Sequence, residues 1–175
     1  LAEIIDGGAD TDALTVANTL DTAIDFSSAT ITNVETLNLG ANTATFTLGA
    51  NSSAFTTING SGATDDDIVL VMGAASTATI NLGTGTDTLT LGNFASSITL
   101  TDTDNDVTVN GGTAAETVTL GAATTGVTVN DVNTVVGSTG TDAITLASGD
   151  TTSVSLVETI NGSTTADTIT ITGST

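Results

Sequence analysis

A twelve-residue stretch, Ile160 to Ile171 (I-N-G-S-T-T-A-D-T-I-T-I), recurs in weaker form along the whole chain, and no other feature constrains the fold as much. The other copies run from Ile5-Asp6-Gly7 to Val16, Leu37-Asn38 to Leu48, Ile58-Asn59-Gly60 to Val71, Ile80-Asn81 to Leu91, Val109-Asn110-Gly111 to Leu120, and Val135-Val136-Gly137 to Leu146. Measured between their leading apolar residues, the seven copies lie 32, 21, 22, 29, 26 and 25 residues apart, about 26 on average. Self-similarity at a period of this size indicates a solenoid or array, because each unit buries its apolar face only against its neighbours.

The side-chain period selects the kind of solenoid. Leu89 and Leu91 alternate with Thr88 and Thr90, and the same alternation returns at Val118/Leu120, Ile144/Leu146 and Ile169/Ile171. A period of two is that of a strand, and Thr-rich, Gly-punctuated segments without Lys or Arg do not suit helices. The chain is therefore expected to be all-β: a parallel β-solenoid, β-helix or β-roll in type, of about seven coils of about 26 residues. Seven coils stacked about 4.8 Å apart would form a rod roughly 34 Å long. Ala17 to Val34 reads as extra strand with Ile24, Phe26 and Ile31 inward, and Ile98/Leu100, Val127/Val129 and Val154/Leu156 read as middle strands of three-stranded coils. Residues 1–175 are expected to form one solenoid domain with uncapped ends, since the chain enters and leaves in mid-repeat.

Charge narrows the partners. Sixteen Asp and four Glu face no Lys, Arg or His, for a net charge of −20, so no side-chain salt bridge can form. Phosphate and acidic lipid need cationic side chains, which excludes nucleic acid. No run of 18 apolar residues is present, and no membrane insertion is expected. The regular Val/Ile/Leu alternation argues against disorder. Enzymes built on parallel β-helices usually set Arg, Lys, His or Tyr beside their acids. All four are missing here, so an enzyme is not expected.

Stacking the copies defines three columns. The first is Asp6, Asn38, Asn59, Asn81, Asn110, Val136 and Asn161, readable either as an amide ladder or as turn chemistry before Gly. The second is acidic: Asp12, Ala44, Asp67 (or Asp65), Asp87, Glu116, Asp142 and Asp167. Like charges about 5 Å apart repel by roughly 0.8 kcal/mol in water and about 3 kcal/mol at an effective dielectric of 20. Bound cations would relieve this; solvated, screened carboxylates are the other reading. Asp102-x-Asp104-x-Asp106 resembles the start of an EF-hand loop but has Val107 for its Gly and Thr113 for its Glu. That segment and Asp65 to Asp67 read either as cation-binding turns or as plain acidic loops. The third column is an outward Thr face, Thr45/Thr47, Thr88/Thr90, Thr117/Thr119 and Thr168/Thr170, interrupted at Ile68/Leu70. It resembles the ice-binding faces of β-solenoid antifreeze proteins and is also an ordinary soluble β surface.

The turns Gly7-Gly8-Ala9-Asp10-Thr11-Asp12-Ala13-Leu14 and Gly83-Thr84-Gly85-Thr86-Asp87-Thr88-Leu89 resemble the Gly/Asp-rich calcium-binding nonapeptides of RTX β-rolls. The match departs in occurring once per coil, with Ala114 and Thr165 at the second Gly position. Together with the Thr/Ala/Gly/Asn composition and the segments Val34-Glu35-Thr36-Leu37-Asn38 and Val157-Glu158-Thr159-Ile160-Asn161, the chain resembles bacterial surface-layer and RTX-type extracellular proteins. The resemblance implies an extracellular or cell-surface location, Ca²⁺ as cofactor, and a structural role assembling with copies of itself into a layer or filament. The candidate metal ligands are Asp10, Asp12, Asp65, Asp67, Asp87, Asp102, Asp104, Asp106, Glu116, Asp142 and Asp167. The uncapped ends read either as surfaces that stack on copies of the chain or as those of a segment of a longer surface-layer solenoid; a stalk segment of a surface adhesin, or an ice-binding solenoid, is the alternative.

Overall fold

The computed structural model describes residues 3–17, 23–40, 43–62, 67–101, 106–121 and 125–173. It is an all-β parallel solenoid of about seven turns. Its strands are β1 (Ile4–Asp6), β2 (Ala13–Thr15), β3 (Ile24–Asp25), β4 (Thr30–Thr32), β5 (Thr36–Asn38), β6 (Ala44–Gly49), β7 (Thr57–Ser61), β8 (Ile68–Met72), β9 (Thr79–Gly83) and β10 (Asp87–Thr90). They continue as β11 (Ser97–Leu100), β12 (Val107–Asn110), β13 (Thr117–Leu120), β14 (Thr125–Asn130), β15 (Thr134–Val136), β16 (Ala143–Leu146), β17 (Thr151–Ser155), β18 (Thr159–Asn161) and β19 (Thr168–Ile171). One 3-10 turn, Ala50–Ser53, follows β6.

From β5 onward the chain alternates between two long parallel sheets. The first holds β2, β5, β7, β9, β11, β13, β15, β17 and β19; the second holds β3, β6, β8, β10, β12, β14, β16 and β18. Parallel pairing follows from winding in one sense, because each strand returns beside its predecessor only after a full turn. Stacked residues are 23 apart at the start (Leu14 on Leu37), 20 in the middle (Leu89 on Val109) and 17 at the end (Val154 on Ile171).

The apolar alternation becomes a double column of core side chains. Leu37, Ile58, Ile80, Leu100 and Leu120 stack on the inside of the first sheet. Phe46, Leu70, Leu89, Val109, Val129 and Leu146 stack on the second. All eleven are 1% exposed or less, so the rod is filled by contact between the sheets. Burying each such side chain stabilises by about 1.5–3 kcal/mol.

Among the described residues the expected third strands are present only near the N-terminal end. There β1 and β4 form a separate two-stranded sheet, and Ile31 on β4 is buried, with Ile24 and Phe26 half-buried against the core. Asn51 closes this broader cross-section: its buried amide donates to the carbonyls of Phe26 (2.7 Å), Ala29 (3.2 Å) and Leu48 (3.2 Å), and Oδ1 accepts from the Ile31 N–H (3.1 Å). The segments Ile98/Leu100, Val127/Val129 and Val154 belong instead to the long sheets themselves, in β11, β14 and β17. Shorter coils have no residues left over for a third side. Leu156, expected inward beside Val154, is exposed and turns the corner with φ 56°.

Two expected columns also divide between the sheets. Thr15, Asn38, Asn59 and Asn81 stack on the first, with Asn59 Nδ2 donating to Asn38 Oδ1 at 3.0 Å. Asn110 and Asn130 pair on the second, Asn161 lies above Thr145 there, and Val136 stands over Thr119 on the first. Thr45/Thr47 and Thr88/Thr90 lie on the second sheet, while Thr117/Thr119 and Thr168/Thr170 lie on the first. Val69 and Val71, not the buried Ile68 and Leu70, interrupt the outward face of β8. Each sheet therefore carries its own Thr column; the longer is Thr36, Thr57, Thr79, Thr99 and Thr119.

Replacing Leu89, in the middle of the core column, by Ala should cost about 2–5 kcal/mol in denaturant unfolding. Thr88→Ala, one residue away and outward, should cost well under about 1 kcal/mol. Equal losses at the two positions would contradict the inside–outside assignment.

Candidate functional site: the carboxylate corners

The acids collect where the chain turns from one sheet to the other, and corners are where main-chain amides lack a ladder partner. Three corners share one construction. In each, a glycine stands five residues before an acid that directly precedes a strand: Gly7 and Asp12, Gly111 and Glu116, Gly137 and Asp142. On the next coil lies a residue in the left-handed region, Asn33 (φ 54°), Asp131 (φ 54°) or Leu156 (φ 56°), followed by Val, then Glu or Asn, then Thr.

The two halves lock in both directions. The Asp12 N–H donates to Glu35 Oε2 (2.9 Å), the Glu116 N–H to Asn133 Oδ1 (2.9 Å) and the Asp142 N–H to Glu158 Oε2 (2.7 Å). In return the carbonyls of Asp12, Glu116 and Asp142 accept from the N–H groups of Thr36 (3.1 Å), Thr134 (3.0 Å) and Thr159 (3.1 Å). The glycine is needed because the carbonyl of the left-handed residue lies against its Cα: a Cβ on Gly7, Gly111 or Gly137 would overlap the carbonyl oxygen of Asn33, Asp131 or Leu156. The two V-E-T-[LI]-N segments are thus the receiving halves of two such clasps, one on each long sheet.

The acid side chains fold back onto their own turns or reach the neighbouring coil. Asp142 Oδ2 accepts from the Ser138 N–H (2.6 Å) and hydroxyl (2.9 Å), and Asp167 Oδ2 accepts from the Ser163 N–H (2.7 Å). Buried Asp87 accepts the Ile68 N–H at 2.7 Å. On one corner of successive coils, Asp150 Oδ1 accepts the Asp131 N–H (2.9 Å) and Asp167 Oδ1 the Asp150 N–H (3.2 Å). On another, acids alternate with Thr. The Asp67 N–H meets Thr43 Oγ1 (3.4 Å), the Thr86 N–H donates to Asp67 Oδ1 (2.8 Å), and Thr86 Oγ1 donates to Asp106 Oδ2 (3.4 Å). Asp67 and Asp106 thus lie two coils apart at the surface, with Asp87 on the coil between them turned inward onto the Ile68 N–H.

Of the candidate ligands, Asp10 is exposed with φ 145°, Asp67 and Asp106 are exposed, Asp12 and Asp167 are half-buried, and Asp87, Glu116 and Asp142 are buried. Asp65, Asp102 and Asp104 lie outside the described residues. Among the described residues no three acidic side chains gather as a metal cage. What the corners offer a cation is hard oxygen donors spread along a strongly negative surface. Sequence reasoning missed Asp150, which is 2% exposed, and the acceptor roles of Glu35, Asn133 and Glu158. Only the repeated V-E-T hinted at the latter.

Glu116 is the electrostatic exception. Burial raises its pKa, the N–H groups of Glu116, Gly112 and Ala114 lower it, and the Asp131 charge raises it further. Neither carboxylate oxygen closes a well-formed hydrogen bond, so desolvation dominates. The opposite holds at the surface: the Ser163 N–H lowers the pKa of Asp167, and the Asn33 amide with the Gly8 N–H lowers that of Asp6. No protein-family model, curated protein or solved structure matches the chain.

Two opposed pH effects follow. For Asp6 and Asp167 the folded pKa lies below 3.8, so their stabilisation is present above 3.8 and is lost as pH falls through the folded values. For Glu116 the folded pKa lies above 4.5, so its contribution is present below 4.5 and is lost as pH rises through the folded value. Glu116→Gln should therefore be more stable than the wild type at pH 7 and lose that advantage below pH 4.5; urea unfolding across pH measures it. Gly137→Val should cost about 3 kcal/mol at either pH, because its clash is steric.

Proposed function

We propose that this chain is a structural element of an extracellular assembly, stacking end to end on copies of itself into a filament or layer. One observation carries the reading: in β19 the inward-column residues Ile169 and Ile171 stand at the surface, whereas Thr152 and Val154, on which they stack, are buried. Ile169 and Ile171 on β19 are 38% and 63% exposed, and β18 and β19 are the outermost strands of their sheets. At the opposite end Ile4 on β1 is 76% exposed. A sheet edge with unpaired N–H and C=O groups is a template for another strand.

The surface-layer and RTX resemblance supports an outside location, and the absence of Lys, Arg, His, Tyr and Cys from the sequence supports a non-enzymatic role. Calcium belongs to the same proposal. Twenty carboxylates without a single basic side chain repel along the rod and across any junction between copies, and divalent cations held at exposed acids such as Asp10, Asp67 and Asp106, each on its own coil, would offset that repulsion. Those acids and the turn carbonyls are hard oxygen donors suited to Ca²⁺.

Electron microscopy of the purified chain with Ca²⁺ and after chelation tests both parts. Ordered fibres or sheets that dissolve on chelation and return with Ca²⁺ are the expected result. Fibres indifferent to chelation would remove calcium and keep the polymer. Dispersed particles in both conditions would overturn assembly and favour a stalk segment.

A further inference from the structure

We infer that the Glu116 corner is a divalent-cation site, in which Glu116 and the carbonyl and carboxylate of Asp131 hold one Ca²⁺ between two inner coils. The site lies within a single chain and does not rest on the end-to-end reading above. It adds a buried position to the exposed acids assigned to calcium there.

The three clasps are built alike, and this one departs from the others in where its charges sit. At Asp12 and Asp142 the main-chain N–H meets a glutamate, Glu35 or Glu158, and the left-handed residue two before that glutamate is neutral, Asn33 or Leu156. At Glu116 the N–H meets Asn133, and the left-handed residue two before it is Asp131. A neutral amide thus does the clasping, and the second carboxylate of the corner is released from it. Nor is Glu116 itself held. It is 1% exposed, and neither carboxylate oxygen has a hydrogen-bond partner. Its counterpart Asp142 accepts from the N–H and hydroxyl of Ser138, four residues earlier; Glu116 is a methylene longer and has Gly112 there, with no hydroxyl to give. A carboxylate this deeply buried without a donor marks either a bound ion or a neutral acid.

Oxygens from the two coils converge at this corner. A Cβ on Gly111 would lie against the Asp131 carbonyl oxygen and 3.3 Å from Glu116 Oε2, so main-chain and carboxylate oxygens flank the same glycine. Burial pushes the Glu116 pKa up and the Asp131 charge pushes it further, and a cation between the two would offset both effects. No Lys, Arg or His exists in the chain to supply that charge. Asp131 is exposed, which leaves the corner open to an entering ion and to water. Two carboxylates and a carbonyl are hard donors, and Ca²⁺ takes about six to eight oxygens in flexible geometry, with water completing the set. Mg²⁺ demands a near-ideal octahedron and sheds water reluctantly, which suits a buried carboxylate less well.

Glu116→Gln and Asp131→Asn each remove one charge at nearly unchanged size, and Asn tolerates left-handed backbone. Calorimetric titration with Ca²⁺ and urea unfolding at pH 7 read the site. Ca²⁺ should raise the wild-type unfolding midpoint, and Mg²⁺ at the same concentration should raise it less. Either substitution should weaken the tightest Ca²⁺ binding by about tenfold or more. Without metal, Glu116→Gln should be the more stable chain; Ca²⁺ should narrow or reverse the gap. Circular dichroism shows whether each variant folds, and either folded variant suffices. Equal stabilisation of wild-type and variant chains by Ca²⁺ would place the ion elsewhere, and a wild-type midpoint that Ca²⁺ leaves unmoved would make Glu116 a buried neutral acid; each result overturns the site. Electron microscopy of the same samples keeps the two roles of calcium apart. Wild-type fibres that dissolve on chelation uphold the assembly reading even where this site fails, and a chain that binds Ca²⁺ at this corner yet never forms fibres overturns assembly alone.

Discussion

Corner amides govern this structure. Along the flat sides each coil's N–H and C=O groups are matched by the coils beside it, as in any parallel ladder. At the corners the chain leaves the ladder, and its amides would be bare if side chains did not reach across from the adjacent coil. Asp, Glu and Asn do this at Asp12, Ile68, Glu116, Asp131, Asp142 and Asp150, whose N–H groups each meet a side-chain oxygen at 3.2 Å or less. A buried N–H left without an acceptor costs about 1–3 kcal/mol. Acidic residues so placed set the register between coils as much as the apolar columns do.

This casts the charge of −20 in a different light. In most proteins a carboxylate finds a Lys or Arg; here its positive counterpart is the partial charge on main-chain hydrogens. Hydrogen bonds to an ionised acceptor are about twice as strong as neutral ones, so amides can hold ionised acids in a half-buried corner. The arrangement has limits. At Glu116 the turn amides do not close on the carboxylate and desolvation prevails. Where Thr43, Asp67, Thr86 and Asp106 share a corner, Thr alternates with the exposed acids, and Asp87 between them turns inward onto the Ile68 N–H.

The fold class was legible in the sequence because inside–outside alternation is a local property: Leu89, Leu91, Ile144 and Leu146 are buried whatever the neighbouring coil does. Which strands share a sheet was not legible. Both sheets use the same Thr–apolar alternation, so Ile58-Asn59-Gly60 and Val109-Asn110-Gly111 look alike although β7 and β12 lie on opposite sheets. The 29-residue interval from Ile80 to Val109 accordingly runs from one sheet to the other. The carboxylate corners were half legible. The acids and the recurring V-E-T were visible, but their connection needs the register between coils, which coils of changing length conceal. Asp150 gave no signal, because Thr152 stands where the repeat has its first apolar residue.

The five-residue spacing from glycine to acid is the same at Gly7, Gly111, Gly137 and Gly162, while the step between stacked residues falls from 23 to 17 along the rod. Length variation has therefore been absorbed between the clasps and not inside them. Since each clasp takes one half from each of two successive coils, a whole coil can be gained or lost without breaking a clasp only where that coil carries neither half, as between Glu35 and Gly111. A chain built this way can lengthen or shorten over generations by unequal recombination in that clasp-free stretch, while the clasped coils hold their number.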